Sequence, residues 1–301
     1  MTALGRIATL AGILPLAIVL AGCPSTGSTP AGATTEVAAA SGAVFGLPGA
    51  NDIWRINDPS ATAEIDHSAW DEFLHTYLSE APNGVNRIDY EQVSDQDRQK
   101  LEAYLAGLNE IKISQYNRDQ QIAYWMNLYN ASIVAIILKN WPVGSIMQVR
   151  GPGINIAGPW LNPIARVEGH RVSFNDVEHH ILRAWFNDGP LPIHYGVNCA
   201  SAGCPPLCPR AHTAQNWRDN LEAMARQYIN SGQAFKDEDG HLTDSKIYHS
   251  WFKGDFGGTD QAVIEHLLRY ADSDHAQLLK SVTTIEDDFY DWRINRPDHD
   301  S

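Results

Sequence analysis

The sequence predicts an α+β fold: a helix-rich single domain with a small β-sheet, set behind an apolar leader and a flexible tether. Three observations predict it. Apolar residues recur at i, i+3, i+4 spacing through most of the chain beyond residue 53, the mark of helices with one buried stripe. Two short runs rich in β-branched residues flank Glu168-Gly169-His170, a hairpin pattern. Residues 24 to about 50 are Ser, Thr, Gly, Ala and Pro with few large apolar groups, too little to offset the entropy of ordering them.

The leader occupies residues 1–22. It carries one charge, Arg6, then an apolar run from Ile7 to Leu20 that is short for a membrane span of about 20 residues. It ends in Leu20-Ala21-Gly22-Cys23, which looks like a bacterial lipobox, in which the cysteine is acylated and becomes the new N-terminus. This lipoprotein signal implies a chain exported and held to a membrane through lipid on Cys23. Pro24, in place of aspartate, points to the outer membrane, with the domain facing the periplasm. Residues 23–52 form the tether and 53–301 the globular domain.

Within the domain the elements follow in order. Trp70, Phe73, Leu74, Tyr77 and Leu78 stripe a helix over Ser68–Leu78, and Arg87–Tyr90 reads as a short strand. Ser94 caps a helix bearing Leu101, Tyr104, Leu105 and Leu108. Asn117 caps a third, which runs to about Asn140 and stops before Pro142. The hairpin pairs Ile164–Val167 with Arg171–Ser173. Ser173 then caps a helix through about Phe186, with Asp176 in a capping-box position. Leu191–Asn198 reads as a strand, and Thr213 caps a long helix with Trp217, Leu221, Met224, Tyr228 and Ile229 inward. A small strand pair is expected near Phe235 and Leu242.

Composition narrows the functions. The formal charge is −14, which argues against nucleic acid and against adhesion to anionic lipid, since both want basic patches. The lipid must then hold the membrane, and an envelope peptide or protein is the expected substrate.

The chemistry concentrates between Tyr124 and Cys208. Asn127 and Asn130 share one face of the third helix, where buried amides either tie the helix to loops or bind a ligand. Glu178 and His179 are adjacent on the next helix, with His180 beside them. If 191–198 is a strand, His194, Gly196 and Asn198 share a face that ends at Cys199. Three readings of Cys199, Cys204 and Cys208 stay open. One is a nucleophilic cysteine, Cys199 or Cys204, with His194 or His179 as base and Glu178 or an Asn orienting it. Another is a disulfide, which an exported setting permits. The last is a metal held by the three cysteines and a histidine, although C-x4-C-x3-C is not a common zinc spacing. No metal or cofactor is called for.

Tyr124-Trp125-Met126-Asn127-Leu128-Tyr129-Asn130-Ala131, Asn175-Asp176-Val177-Glu178-His179 and Asn198-Cys199-Ala200-Ser201-Ala202-Gly203-Cys204-Pro205-Pro206-Leu207 together resemble the domain-of-unknown-function 547 family. Thr213-Ala214-Gln215-Asn216, Ser245-Lys246-Ile247-Tyr248 with Trp251-Phe252, and Tyr290-Asp291-Trp292-Arg293-Ile294-Asn295 extend the resemblance over about residues 65–295. It implies family positions at Asn127, Asn130, Glu178, His179, Cys199 and Cys204, with Cys208 and His180 as departures, and implies no reaction. Two hypotheses follow. The chain is a cysteine-dependent hydrolase or acyltransferase of papain or transglutaminase type, or a non-catalytic envelope binding module with a structural Cys199–Cys204 disulfide. The first meets a difficulty of order: both histidines precede the cysteine, and prolines follow it.

Overall fold

Helix caps set most of the element boundaries. The computed structural model describes residues 52–80, 84–150, 158–186, 192–238 and 241–297. All fall within one compact unit, Val44–Ser301. The leader, Cys23 and the tether as far as Asn51 lie outside the described residues. Helix α1 is Ser68–Tyr77, followed by strand β1 (Leu78–Glu80), which pairs antiparallel with β2 (Asn86–Ile88). Ser94 opens α2 (Asp95–Asn109) by accepting the Asp97 N–H, and Asn117 opens α3 (Arg118–Asn140) by accepting the Gln120 N–H. Each cap satisfies a donor that the first helical turn would leave unpaired.

The core is built round α3. Its side chains are buried almost without a break from Gln120 to Leu138, as expected of a helix apolar on every face. By length and hydropathy α3 could cross a membrane, but 89% of its most apolar window is buried inside the fold. It is the central helix of the domain.

Strands β3 (Pro163–Val167) and β4 (His170–Ser173) form the expected hairpin, with Glu168 and Gly169 at positive φ in its turn. Ser173 and Asp176 then cap each other: the Ser173 N–H and hydroxyl donate to Asp176 Oδ2 at 2.8 and 2.7 Å, and the Asp176 N–H donates to Ser173 Oγ at 3.2 Å. The helix they open is not a plain α-helix. Asp176–Leu182 winds as a π-helix, with the Arg183 N–H reaching back five residues to Glu178 O, before α4 (Arg183–Phe186) resumes α geometry.

The expected strand over Leu191–Asn198 is not formed. Ile193–Gly196 is instead a 3-10 turn entered from Pro192. The physical reason is where its backbone groups bond. The Gly196 carbonyl accepts from Asn130 Nδ2 at 2.8 Å and the Asn198 N–H donates to Asn130 Oδ1 at 2.9 Å, so a side chain of α3 takes the place of a neighbouring strand. Thr213 and Asn216 cap each other as a turn before α5 (Trp217–Asn230), so that helix begins later than the Thr213 signal suggests. Strands β5 (Phe235–Glu238) and β6 (His241–Ser245) pair antiparallel, helices α6 (Asp260–Leu268) and α7 (Ser273–Leu279) follow, and β7 (Asp287–Phe289) adds to β6 in parallel. The fold is α+β, with three small separate sheets among the described residues where one had been expected.

Candidate functional site

Three buried asparagines hold the loop that carries the cysteines. Asn127 Nδ2 donates to His212 O at 2.7 Å, and its Oδ1 accepts the His212 N–H at 3.0 Å. Asn130 makes the same two-way clamp on residues 196–198. Asn198 Nδ2 donates to Pro205 O at 2.8 Å, while its Oδ1 accepts the Ala200 N–H at 2.8 Å and Asn295 Nδ2 at 3.1 Å. A buried amide whose donors and acceptor are engaged by backbone is scaffold. Of the two readings of Asn127 and Asn130, tying the helix to loops is the one these bonds describe, and Asn198 anchors the loop in the same way.

The clamped loop is tight. Ala200 has φ +60°, a left-handed conformation that costs a non-glycine residue about 1–3 kcal/mol and is tolerated where surrounding contacts enforce it. The C-terminal segment enforces it here. The Ala202 N–H donates to Arg293 O at 2.7 Å, the Gly203 N–H to Asp291 O at 2.9 Å and the Asn295 N–H to Ala200 O at 3.0 Å. A side chain at Gly203 would put Cβ 2.7 Å from the Asp291 nitrogen, so only glycine lets the two backbones approach this closely.

This loop brings two sulfurs together. Cys199 and Cys204 are free thiols with Sγ atoms 2.7 Å apart, and the Cys199 N–H donates to Cys204 Sγ at 3.1 Å. Ser201 Oγ lies 2.9 Å and Tyr290 Oη 3.1 Å from Cys199 Sγ, and the two hydroxyls are 2.8 Å from each other. Cys199 is half-buried and Cys204 fully buried. Their acidities diverge. Burial pushes the Cys199 thiol up, but hydrogen bonds from Cys204, Ser201, Tyr290 and the Ser201 backbone together outweigh it, and the net shift is downward. Burial, the bond to Cys199 and the charge of Cys199 all push Cys204 well up. The arrangement is one sulfur made more acidic by the donors around it, beside a second thiol made less acidic.

The histidines sit elsewhere. His194, only 3% exposed, places Nε2 2.8 Å from Asp255 Oδ2, and Arg183 adds bonds from Nε and Nη2 to the same carboxylate at 2.7 and 3.1 Å. Burial raises the Asp255 pKa, but hydrogen bonds from His194 and Arg183 outweigh it and hold the carboxyl well below its usual range. His179 Nδ1 is 3.1 Å from Arg183 Nη1, and burial, opposed by Glu178 and reinforced by Arg183, His194 and His180, lowers its pKa. Phe252 stacks on His194 at 4.2 Å and lies 5.8 Å from His179. Glu178 accepts the Tyr129 hydroxyl at 2.9 Å. Among the described residues no hydrogen bond joins His179 or His194 to a sulfur; Arg183 engages Nδ1 of His179 and Asp255 engages Nε2 of His194.

Cys208 is buried, its thiol pushed up by burial to about 11, and no contact joins it to the pair among the described residues. Also among the described residues, no three His, Cys, Asp or Glu side chains converge as a metal-ligand set. Ser201, Tyr290, Arg183 and Asp255 were missed in the sequence. A search for hydroxyl donors near the cysteines could have raised Ser201; nothing local marks Tyr290 or Asp255 as partners of the site.

Residues 113–229 match the family model described as protein of unknown function, DUF547. The match supports the DUF547 domain family for that stretch, which runs from the lead-in of α3 nearly to the end of α5 and contains both cysteines, Glu178, His179 and His194. It is shorter than the expected 65–295, and Tyr290 and Asp255 lie beyond it. No curated protein and no solved structure matches the chain.

Proposed function

We propose that the chain carries a cysteine-dependent redox centre of the dithiol–disulfide kind, in which Cys199 attacks and Cys204 resolves. The observation that carries this reading is the pair of free sulfurs 2.7 Å apart whose acidities are shifted in opposite directions. A thiol of lowered pKa is the form that attacks, and a neighbouring thiol is what completes exchange.

The balance is simple. The Cys199 thiolate attacks one sulfur of a substrate disulfide. A Cys199–substrate S–S bond forms, the substrate S–S bond breaks, and the electron pair leaves on the departing sulfur, which takes up a proton. Cys204 loses its proton and attacks Cys199 Sγ. The intramolecular disulfide forms and the second substrate thiolate departs, protonated in turn. The substrate disulfide gains two electrons and the protein pair is oxidised; a dithiol reverses the pair. Tyr290, in contact with the Cys199 sulfur, is placed to relay a proton.

A cysteine-dependent hydrolase or acyltransferase is the second reading, favoured by the same lowered thiol ringed by donors. It needs a base at the sulfur, and the histidines are engaged by Arg183 and Asp255. One experiment separates the readings. Cys204→Ser protein is incubated with a peptide disulfide and with a peptide thioester, and adducts are read by intact mass. Accumulation of a stable mixed disulfide at Cys199, released at once in the wild type, is the expected result. Thioester turnover without disulfide exchange would replace the redox reading with the acyl-transfer one. A native Cys199–Cys204 bridge inert to mild reductant would replace both with the binding module.

The reading extends to location. Lipid on Cys23 would hold the domain at the cell envelope, facing the periplasm from the outer membrane. The support is the lipobox-like Leu20-Ala21-Gly22-Cys23 behind an apolar leader. Palmitate labelling should be lost in Cys23→Ala; labelling that persists would remove the anchor from the proposal.

A further inference from the structure

A row of aromatic rings continues from the thiol pair through Tyr290. Tyr290, whose hydroxyl bonds to Cys199, packs against Trp251 at 4.6 Å and against Trp292 at 4.7 Å, and these two tryptophans lie 5.5 Å apart. Trp160 continues the row, 6.4 Å from Trp292, and its neighbour Leu161 is 51% exposed. All four rings are half-buried, so each keeps part of its surface open. Core aromatics of this domain behave differently: Trp70, Trp125, Tyr124 and Tyr195 are fully covered. Four large rings left partly uncovered in one contiguous row, starting at the reactive sulfur, are more than scattered surface apolar residues require.

We propose that this row is the substrate-binding face of the thiol centre, and that it takes an extended peptide segment whose cysteine is flanked by large apolar or aromatic side chains. The inference rests on the redox reading above. Three features commit it to that occupant. A substrate disulfide must bring its sulfur to Cys199, and Tyr290, which touches that sulfur, is itself part of the row, so the residues flanking the substrate cysteine fall on the rings. The wall offers ring faces and edges, which reward apolar contact and tolerate varied sequence. The chain's formal charge of −14 repels acidic segments, leaving neutral or basic ones.

The test uses the full-length reduced protein and mixed disulfides of thionitrobenzoate with three pentapeptides, whose central cysteine is flanked by Leu and Phe, by two Ser or by two Glu. Release of thionitrobenzoate gives the rate constant for attack by Cys199. The Leu/Phe peptide should react about tenfold faster than the Ser peptide, and the Glu peptide slowest. Trp292→Ala should remove most of the Leu/Phe advantage, read as the ratio of the Leu/Phe rate to the Ser rate within the same protein. Equal wild-type rates for the Leu/Phe and Ser peptides would overturn the subsite, and that measurement needs no variant to fold. Equal slowing of every disulfide by Trp292→Ala would also overturn it. No exchange with any disulfide, hydroxyethyl disulfide included, would instead bring down the redox reading, so the two failures are distinguishable.

Discussion

The thiol pair and the histidine cluster are built from different kinds of titratable group, and they solve opposite problems. At Cys199 the stabilising groups are neutral: two hydroxyls, a thiol and backbone N–H surround the sulfur of a partly buried residue. At Asp255 the stabilising groups are a guanidinium and an imidazole, fixed on a carboxylate that is 20% exposed. Neutral donors favour a thiolate without neutralising it, so its electron pair stays available. A closed ion pair leaves no such pair free. The lesson is that a histidine close in sequence to a cysteine is not its base unless a ring nitrogen reaches the sulfur. Here the imidazoles serve the frame, and the sulfurs are left to each other.

Acid titration is the strongest way to press on that division, because three further imidazoles are buried in the frame. Burial holds His67 and His266 down at about 4 and His212 at about 3, against an ordinary value of 6.5. A histidine whose folded pKa is depressed binds its proton first in the unfolded chain. Its contribution to stability is complete above pH 6.5 and is lost as pH falls toward the folded value. Between pH 7 and pH 5 the loss is up to about 2 kcal/mol per imidazole. Denaturant midpoints measured across this range should fall steeply. A flat profile would mean these rings are solvated, and the contrast between frame histidines and reactive thiols would lose its basis.

Asp255→Asn is the next largest perturbation. It leaves Arg183 without its partner carboxylate, at a cost of about 2–4 kcal/mol, reduced from the fully buried case because Asp255 and Arg183 are 20% and 27% exposed. The folded Asp255 pKa is depressed below 3.8, so the carboxylate's contribution is present above that value and fades as pH falls through it. The variant should therefore be less stable than wild type at pH 7, with the gap narrowing under acid. Alkylation of Cys199 in the folded fraction should proceed at the wild-type rate. A large drop in that rate would reconnect the two regions and revive the triad.

Why the elements were legible and their meeting was not can be put in terms of distance along the chain. Ser94, Asn117 and the Ser173–Asp176 box bond to groups three residues away, so a reader of the sequence has both partners in view. The α3 boundary before Pro142 and the hairpin about Gly169 are local in the same sense. The 191–198 segment failed because what decides its conformation is Asn130, 68 residues from Asn198. The site failed likewise. Both cysteines stood out, but the group that completes the donor ring is Tyr290, 91 residues from Cys199, and the group that engages His194 is Asp255, 61 residues on. The π winding of 176–182, which carries Glu178 and His179, has no period that the α-helical spacing rule could register.

Tyr290→Phe makes the smallest change and asks the sharpest question. It removes one hydroxyl, the donor 3.1 Å from Cys199 Sγ, and keeps the ring packed against Trp251 and Trp292. If neutral donors set the acidity of the pair, losing one of them raises the Cys199 pKa. Iodoacetamide trapping across pH reads this directly. The rate should fall at pH values below the wild-type pKa and converge with wild type where both thiols are ionised. Thermal stability should change by less than the acidity does, because Ser201 still bonds to the sulfur. A profile that superimposes on wild type would show that the hydroxyl is packing only, and would place the source of the Cys199 shift in Cys204 and the backbone of the loop.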